Sequence, residues 1–89
     1  MLEPRILHLN LVRKFFDQIA KGEKREEYRH RSAYWKTRLE SREYDIVCFR
    51  NGYGPEVPEM DVEWKGIDKR KDCYAILLGE IRSLKRWQS

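Results

Sequence analysis

One stretch joins a predicted turn to the start of a predicted strand: Gly22-Glu23-Lys24-Arg25-Glu26-Glu27-Tyr28-Arg29. The other predicted elements precede or follow this stretch. Glycine favours the turn because it reaches positive φ without steric cost. Glu27 and Arg29 share strand parity, so we expect their side chains on one face. Lys24 has the opposite strand parity. Its side chain can reach those of Glu27 and Arg29 only if Lys24 lies on the turn before the strand, or if the strand contains a bulge. A solvated, charged strand is the competing interpretation.

The first half of the chain predicts a strand, a helix, the motif strand and a second helix. The first strand spans residues 6–11, and residues 12, 15, 16 and 19 form the apolar stripe of the first helix. Asn10 is the expected N-cap of that helix, and Gly22 follows its end. The motif strand covers about 24–28. Ser32 is the expected cap of a second helix that ends near Ser41.

Three further strands are predicted in the second half, over residues 44–51, 60–67 and 74–81. The alternation breaks at Gly66-Ile67, which indicates a bulge. The segment from about residue 83 onward is basic, and we expect it to be frayed. The order β-α-β-α-β-β-β predicts an α+β fold, in which about five strands curl into a small β-barrel covered by two helices.

Length and composition restrict the class of protein. The 89 residues predict one domain spanning 1–89. No apolar run approaches the roughly 18 residues of a membrane span, and the N-terminus lacks the layout of a signal peptide. We therefore expect a cytoplasmic protein without a membrane partner. A formal net charge of +4 permits a polyanionic ligand without establishing one.

The cysteines and histidines give no pattern typical of a metal site. Cys48 and Cys73 lie in apolar, strand-like segments, which favours reduced thiols packed as small hydrophobic groups. His8 and His30 are not clustered with them in the sequence. We expect neither a metal nor another cofactor.

The spacing Gly22-x-Lys24-x-x-Glu27-x-Arg29 matches the GxKxxExR motif of the ASCH domain, a small β-barrel family of the PUA-like superfamily. The chain resembles the small single-domain members found in phages and bacteria, from about Ile6 to Ile81. The flanking segments that share the resemblance are 7–11, 34–39, 49–53 and 62–67.

The resemblance implies a cleft between the barrel and the first helices, lined by Lys24, Glu27 and Arg29, that holds RNA or a cytidine-like nucleoside. The residue types suit such a ligand. Arginine offers a planar fork to phosphate or a base edge, and glutamate accepts hydrogen bonds from an exocyclic amine. Lysine supplies a positive charge, and a shielded lysine can act as a base.

Other candidate ligand-binding residues flank the motif or follow the third predicted strand. They are Arg25, Arg50, Asn51 and Tyr53. Arg50 lies at the end of the third predicted strand, and Asn51 and Tyr53 lie in the loop 51–55, which has strong turn chemistry. Loops beside a binding cleft often carry recognition residues. A plain connection explains that loop equally well. Among the aromatic residues, core packing is favoured for Trp35 and Trp64, whereas Tyr53 is open to either interpretation.

Two alternatives to RNA or nucleotide binding stay open. Some ASCH-type proteins are acetylcytidine amidohydrolases, and others are ribonucleases. The amidohydrolases have a threonine nucleophile where this chain has Glu27, so hydrolysis here requires a water activated by Glu27 or Glu63. Lys24 would then stabilise the oxyanion. The second alternative is a protein-interaction module.

One feature departs from the resemblance. Related sequences usually carry a longer, glycine-containing insert between their last two strands, whereas this chain has only residues 68–72. If that insert forms one wall of the cleft in related proteins, the cleft is more open in this chain. A more open cleft favours a polymer over a nucleoside as the ligand. We expect a monomer or a weak homodimer.

Overall fold

The computed structural model describes residues 3–88 and contains two helices and five strands in the predicted order. The elements are β1 (Ile6–Asn10), α1 (Arg13–Ala20), β2 (Glu26–His30), α2 (Ala33–Leu39), β3 (Ile46–Arg50), β4 (Glu59–Lys69) and β5 (Cys73–Lys85). The predicted α+β class is confirmed.

The five strands form one curled sheet in the order β1-β3-β4-β5-β2. β1 and β3 are parallel, and the other neighbouring pairs are antiparallel. The sheet is a half-barrel, and within residues 3–88 its two edges are β1 and β2. The motif strand therefore lies along one side of the opening.

β4 supplies the curvature of the sheet. Its pairing with β5 shifts register at three places between Asp61 and Ile67, and Gly66 has φ +104°. Such irregularities bend a strand and increase its twist, so they help the sheet curl. The bulge predicted at Gly66-Ile67 is confirmed.

The core lies inside the curl of the sheet. The inward residues of β1, β3, β4 and β5 pack there against Phe16 and Ile19 of α1 and Leu39 of α2. Burying a large apolar side chain contributes about 1.5–3 kcal/mol before the loss of conformational entropy is counted.

The apolar stripe predicted for α1 is only half correct. Phe16 and Ile19 are buried, but Val12 is 61% exposed and Phe15 is 40% exposed. Val12 is the N-cap residue, just outside the helix. Phe15 borders the opening of the half-barrel, beside Asn10 of β1 and Arg29 of β2.

The predicted cap at Asn10 is wrong. The residue at the N-cap of α1 is Val12, whose side chain accepts no capping hydrogen bond. Asn10 instead pairs with the main chain of Gly52, donating from Nδ2 to its carbonyl at 2.6 Å and accepting its N–H at 3.1 Å. By contrast, the predicted cap at Ser32 is confirmed, because its hydroxyl accepts the N–H of Trp35.

The C-terminal segment is also ordered differently from the prediction. The sequence predicts fraying from residue 83 onward, yet β5 continues through Lys85, and Leu84 pairs with Met60. Trp87 then packs against the core and donates its indole N–H to Asp17 at 2.8 Å. The long β4–β5 pairing and this anchor fasten the tail to α1.

Within the described part of the chain, neither helix has the length and apolar character needed to cross a membrane.

Candidate functional site

A tight turn after α1 positions Lys24. Gly22 has φ +78°, in agreement with the turn predicted there. The backbone N–H groups of Glu23 and Lys24 both donate to the carbonyl of Gln18, at 2.8 and 3.1 Å. β2 begins only at Glu26, two residues later than expected, so Lys24 is on the turn and escapes the alternation of the strand.

Lys24 and Arg29 converge on the carboxylate of Glu27. Lys24 Nζ lies 3.0 Å from one carboxylate oxygen, and Arg29 Nη1 lies 2.5 Å from the other. Glu27 is 4% exposed and is the only buried charged residue between positions 3 and 88. Burying a carboxylate is costly unless it is paired, and two cations around one anion leave a local charge of +1. We call these three residues the triad.

Arg29 also bridges the opening of the half-barrel. Its Nη1 donates to the carbonyl of Tyr28 at 2.7 Å, and its Nη2 donates to the carbonyl of Asn10 at 3.3 Å. Asn10 ends β1, the opposite edge of the sheet. The guanidinium is thus held by groups from both edge strands and points across the gap between them.

A cleft of about 620 Å³ opens over the triad. Its lining comprises Asn10, Leu11, Val12, Phe15, Lys24, Glu27, Tyr28 and Arg29. Lys24 Nζ lies 5.1 Å from the centroid of the Phe15 ring and 4.5 Å from that of Tyr28. We call this space the triad cleft. It combines cations with exposed apolar and aromatic surface, and its volume is in the range of small-ligand sites.

The predicted loop residues lie beside the triad cleft and do not line it. Tyr53 is 86% exposed and borders a smaller depression, of about 250 Å³, together with Arg50. Asn51 donates to the carbonyl of Leu11 at 2.9 Å, which ties the loop to the start of α1. Asn10 lines both spaces.

Arg50 has partners of its own in this loop. It forms an ion pair with Glu59 at 3.3 Å and donates to the carbonyl of Gly54. These contacts hold its guanidinium on the side of β3 and β4.

Arg25 is not among the residues that line the triad cleft. Its side chain is exposed, and its carbonyl accepts the N–H of Leu78 at 3.1 Å. It borders a separate depression that also involves Gly79 and Glu80. Arg25 therefore contributes positive charge near the motif but does not contact Glu27 through an ion pair in the described structure.

Glu63, the other candidate for catalysis, does not join the triad. In β4 it alternates with the fully buried Val62, so it occupies the outer face of the sheet, whereas Glu27 pairs in register with the buried Ile76. The N–H of Glu80, together with nearby cations, holds the pKa of the Glu63 carboxyl below its usual range. Those cations are Lys65 at 3.5 Å and Arg82 at 3.2 Å.

The fold also assembles a group that the sequence pattern did not reveal. Potential ligand atoms of Cys48, Glu59 and Asp61 all lie within 4.8 Å of one another, because β3 and β4 pair Cys48 with Asp61. Burial and a hydrogen bond to Asp61 raise the pKa of the Cys48 thiol to about 12. Only the strand register could have indicated this cluster.

Sequence reasoning missed two features of the triad cleft. Helical periodicity places Phe15 and Val12 in the core, because it cannot tell a stripe facing the core from one facing a cleft. Core packing, the expectation for Trp35, is confirmed, but the residue also borders a second opening next to the first, which the sequence did not indicate. The helical pattern carries no signal that separates the two cases, so the fold was needed to distinguish them.

No protein-family model, curated protein or solved structure matches the chain, so the resemblance to the ASCH domain stays a prediction.

Proposed function

We propose that the chain binds RNA or a nucleotide in the triad cleft. The observation that carries the proposal is the convergence of Lys24 and Arg29 on the buried carboxylate of Glu27, beside exposed aromatic rings. Two oriented cations suit a phosphate, and the rings of Phe15 and Tyr28 suit an unpaired base.

Each member of the triad has a distinct role in this proposal. Arg29 contributes a fixed positive charge to the lining of the triad cleft, and Lys24 adds a second positive charge next to the two rings. Glu27 is a positioning residue, because both of its oxygens are occupied by these cations. Holding the cations in place beforehand reduces the entropy lost on binding.

The test is a fluorescence-anisotropy titration of a labelled eight-nucleotide single-stranded RNA. Lys24→Ala combined with Arg29→Ala should weaken binding about tenfold or more. It should also lower the slope of log affinity against log salt by about 0.7 for each phosphate that the variant no longer neutralises. The matched control is Lys65→Ala with Arg82→Ala, which removes the same charge from the outer face around Glu63. Equal affinities for the two double variants would reject the site.

The hydrolase alternative has less support. Glu63 is on the other face of the sheet, and the only hydroxyl among the lining residues is that of Tyr28. Hydrolysis would therefore depend on a water activated beside Glu27, with Lys24 at the oxyanion. Incubation with N4-acetylcytidine and with RNA, followed by chromatography, tests this route. Product that disappears in Lys24→Ala would establish it.

The protein-interaction alternative differs from nucleic-acid binding in its response to salt. Phosphate contacts release counterions, so affinity for RNA should fall steeply between about 50 and 200 mM salt. A complex with a protein that persists undiminished over this range would favour the interaction module.

A further inference from the structure

A second cleft, of about 330 Å³, adjoins the triad cleft. Its lining residues are Tyr28, Arg29, His30, Trp35, Asp72 and Cys73. Tyr28 and Arg29 line both clefts, so the two spaces lie on either side of these residues. We call the second space the Trp35 cleft.

Arg29 marks the boundary between the two clefts. Its Nη1 contacts Glu27 on the triad side, while its guanidinium carbon lies 5.3 Å from the centroid of the Trp35 ring on the other side. The guanidinium of Arg29 therefore lines both the triad cleft and the Trp35 cleft. A phosphate at this boundary would have a nucleoside-sized space on either side of it.

Tyr28 is fixed at the same boundary. Its hydroxyl donates to Glu26 at 2.8 Å, and Glu26 in turn accepts from Arg70 at 3.0 and 3.2 Å. The ring is nevertheless 45% exposed. The hydroxyl of Tyr28 is fixed by its hydrogen bond, while the apolar part of the ring is open to solvent. Such a ring suits stacking, because it loses little side-chain freedom when a base binds.

Contacts with the core and with a neighbouring aromatic ring fix the position of Trp35. It packs against the core from α2, and its ring meets that of Tyr34 edge to face, with centroids 4.9 Å apart. Arg38 lies over Tyr34 at 4.3 Å. The Trp35 cleft thus has a rigid aromatic wall backed by a further aromatic ring and a cation.

The connection between β4 and β5 leaves the Trp35 cleft open. It consists of residues 70–72 and is closed by a hydrogen bond from the N–H of Arg70 to the carbonyl of Cys73 at 2.9 Å. So short a hairpin contributes Asp72 and Cys73 to the side of the cleft without covering it. An extended chain has room to continue past Arg29.

We propose that the triad cleft and the Trp35 cleft bind two successive nucleotides of a single-stranded RNA, with the connecting phosphodiester at Arg29. This inference rests on the proposed function and specifies its ligand as an oligonucleotide of at least two residues. Duplex RNA fits poorly, because its bases are already stacked and paired.

The experiment compares 5′-AMP with the dinucleotide ApA as competitors of the labelled eight-nucleotide RNA. Stacking of one more base should make ApA bind about five- to a hundredfold more tightly than 5′-AMP. Trp35→Leu and His30→Glu should each remove most of this advantage and reduce the affinity for 5′-AMP much less than the affinity for ApA. His30 is exposed, so His30→Glu tests the cleft without disturbing the core on which Trp35 packs. Gln88→Glu is the control, since it adds the same charge outside both clefts.

The rate of alkylation of Cys73 provides an independent measurement of ligand binding in the Trp35 cleft. ApA should protect it from alkylation, whereas 5′-AMP at equal occupancy should not. Equal affinities of the wild-type protein for ApA and 5′-AMP would overturn the inference. The proposed function would still stand if the wild-type protein bound both ligands and neither bound to a Lys24→Ala, Arg29→Ala variant that keeps the wild-type circular-dichroism spectrum. Absence of binding by all three ligands overturns both.

Discussion

Lys24 and Glu27 form a 3.0 Å ion pair although their positions have opposite strand parity. The contact exists because β2 starts at Glu26, which leaves Lys24 on the turn that follows Gly22. Arg29 reaches the same carboxylate by ordinary strand alternation. The arrangement therefore depends on where the turn stops and the strand begins.

Gly22→Ala tests that dependence. The φ of +78° disfavours any residue with a Cβ, while nothing lies within 4 Å of the position that the Cβ would occupy. The cost is thus conformational, about 1 kcal/mol, or a fall in Tm of about 4–8 °C. Because the turn carries Lys24, we also expect weaker RNA binding.

The matched control is Gly54→Ala, at φ +110° in equally open space. Thermal melts should show a loss of stability for both variants, whereas anisotropy should show weaker binding only for Gly22→Ala. Equal binding by both would mean that the turn does not position the site.

Glu27→Ala should destabilise the fold strongly. It removes the buried partner of two cations and leaves them facing each other, a change that typically costs about 3–5 kcal/mol. Glu27→Gln keeps the shape and one acceptor oxygen, so it should cost less. Urea denaturation of the two variants measures the difference in the free energy of unfolding. A urea midpoint for Glu27→Gln equal to that of the wild type would show that the carboxylate charge contributes nothing to stability.

Acid should weaken the attachment of the C-terminal segment. The indole of Trp87, and then Arg13, hold the pKa of Asp17 below its usual value of 3.8. A carboxyl whose pKa is lower in the folded state stabilises the protein above about pH 3.8, and this contribution is lost as the pH falls through the folded-state value.

Asp17→Asn should therefore be less stable than the wild type at pH 7 and lose less stability on acidification below pH 4. Thermal melts between pH 7 and pH 2.5 make the comparison. Trp87→Phe keeps an aromatic ring but removes the indole N–H, so it should also be less stable than the wild type at pH 7 and lose less stability on acidification. Parallel pH profiles for wild type and Asp17→Asn would contradict this role of Asp17.

The two thiols should differ in reactivity. Burial raises the pKa of Cys48 to about 12, whereas Cys73 is partly exposed at the Trp35 cleft. Since the thiolate is the reactive form, a disulfide reagent at pH 8 should modify one thiol per native chain and both after unfolding. Cys73→Ser should abolish the native reaction. Rapid modification of Cys48 in that variant would disagree with the packing of β3 and β4.

Local patterns predicted much of the fold. Alternation located the buried strands, and the helical spacing of Phe16 and Ile19 located α1, because these periodicities follow directly from backbone geometry. The errors occurred where tertiary contacts replaced local ones. Asn10 bonds to Gly52, 42 residues away, instead of capping its helix.

The sequence by itself determined the element order, the turn at Gly22 and the shared face of Glu27 and Arg29, since each depends on residues close together in the chain. Only the tertiary structure decided that Glu63 lies apart from the triad and that Phe15 faces a cleft. It also decided that Trp35 adjoins Arg29. Those outcomes depend on how the sheet curls and which strands form its edges. Curl and edge order are set by contacts between distant segments, which no local pattern records.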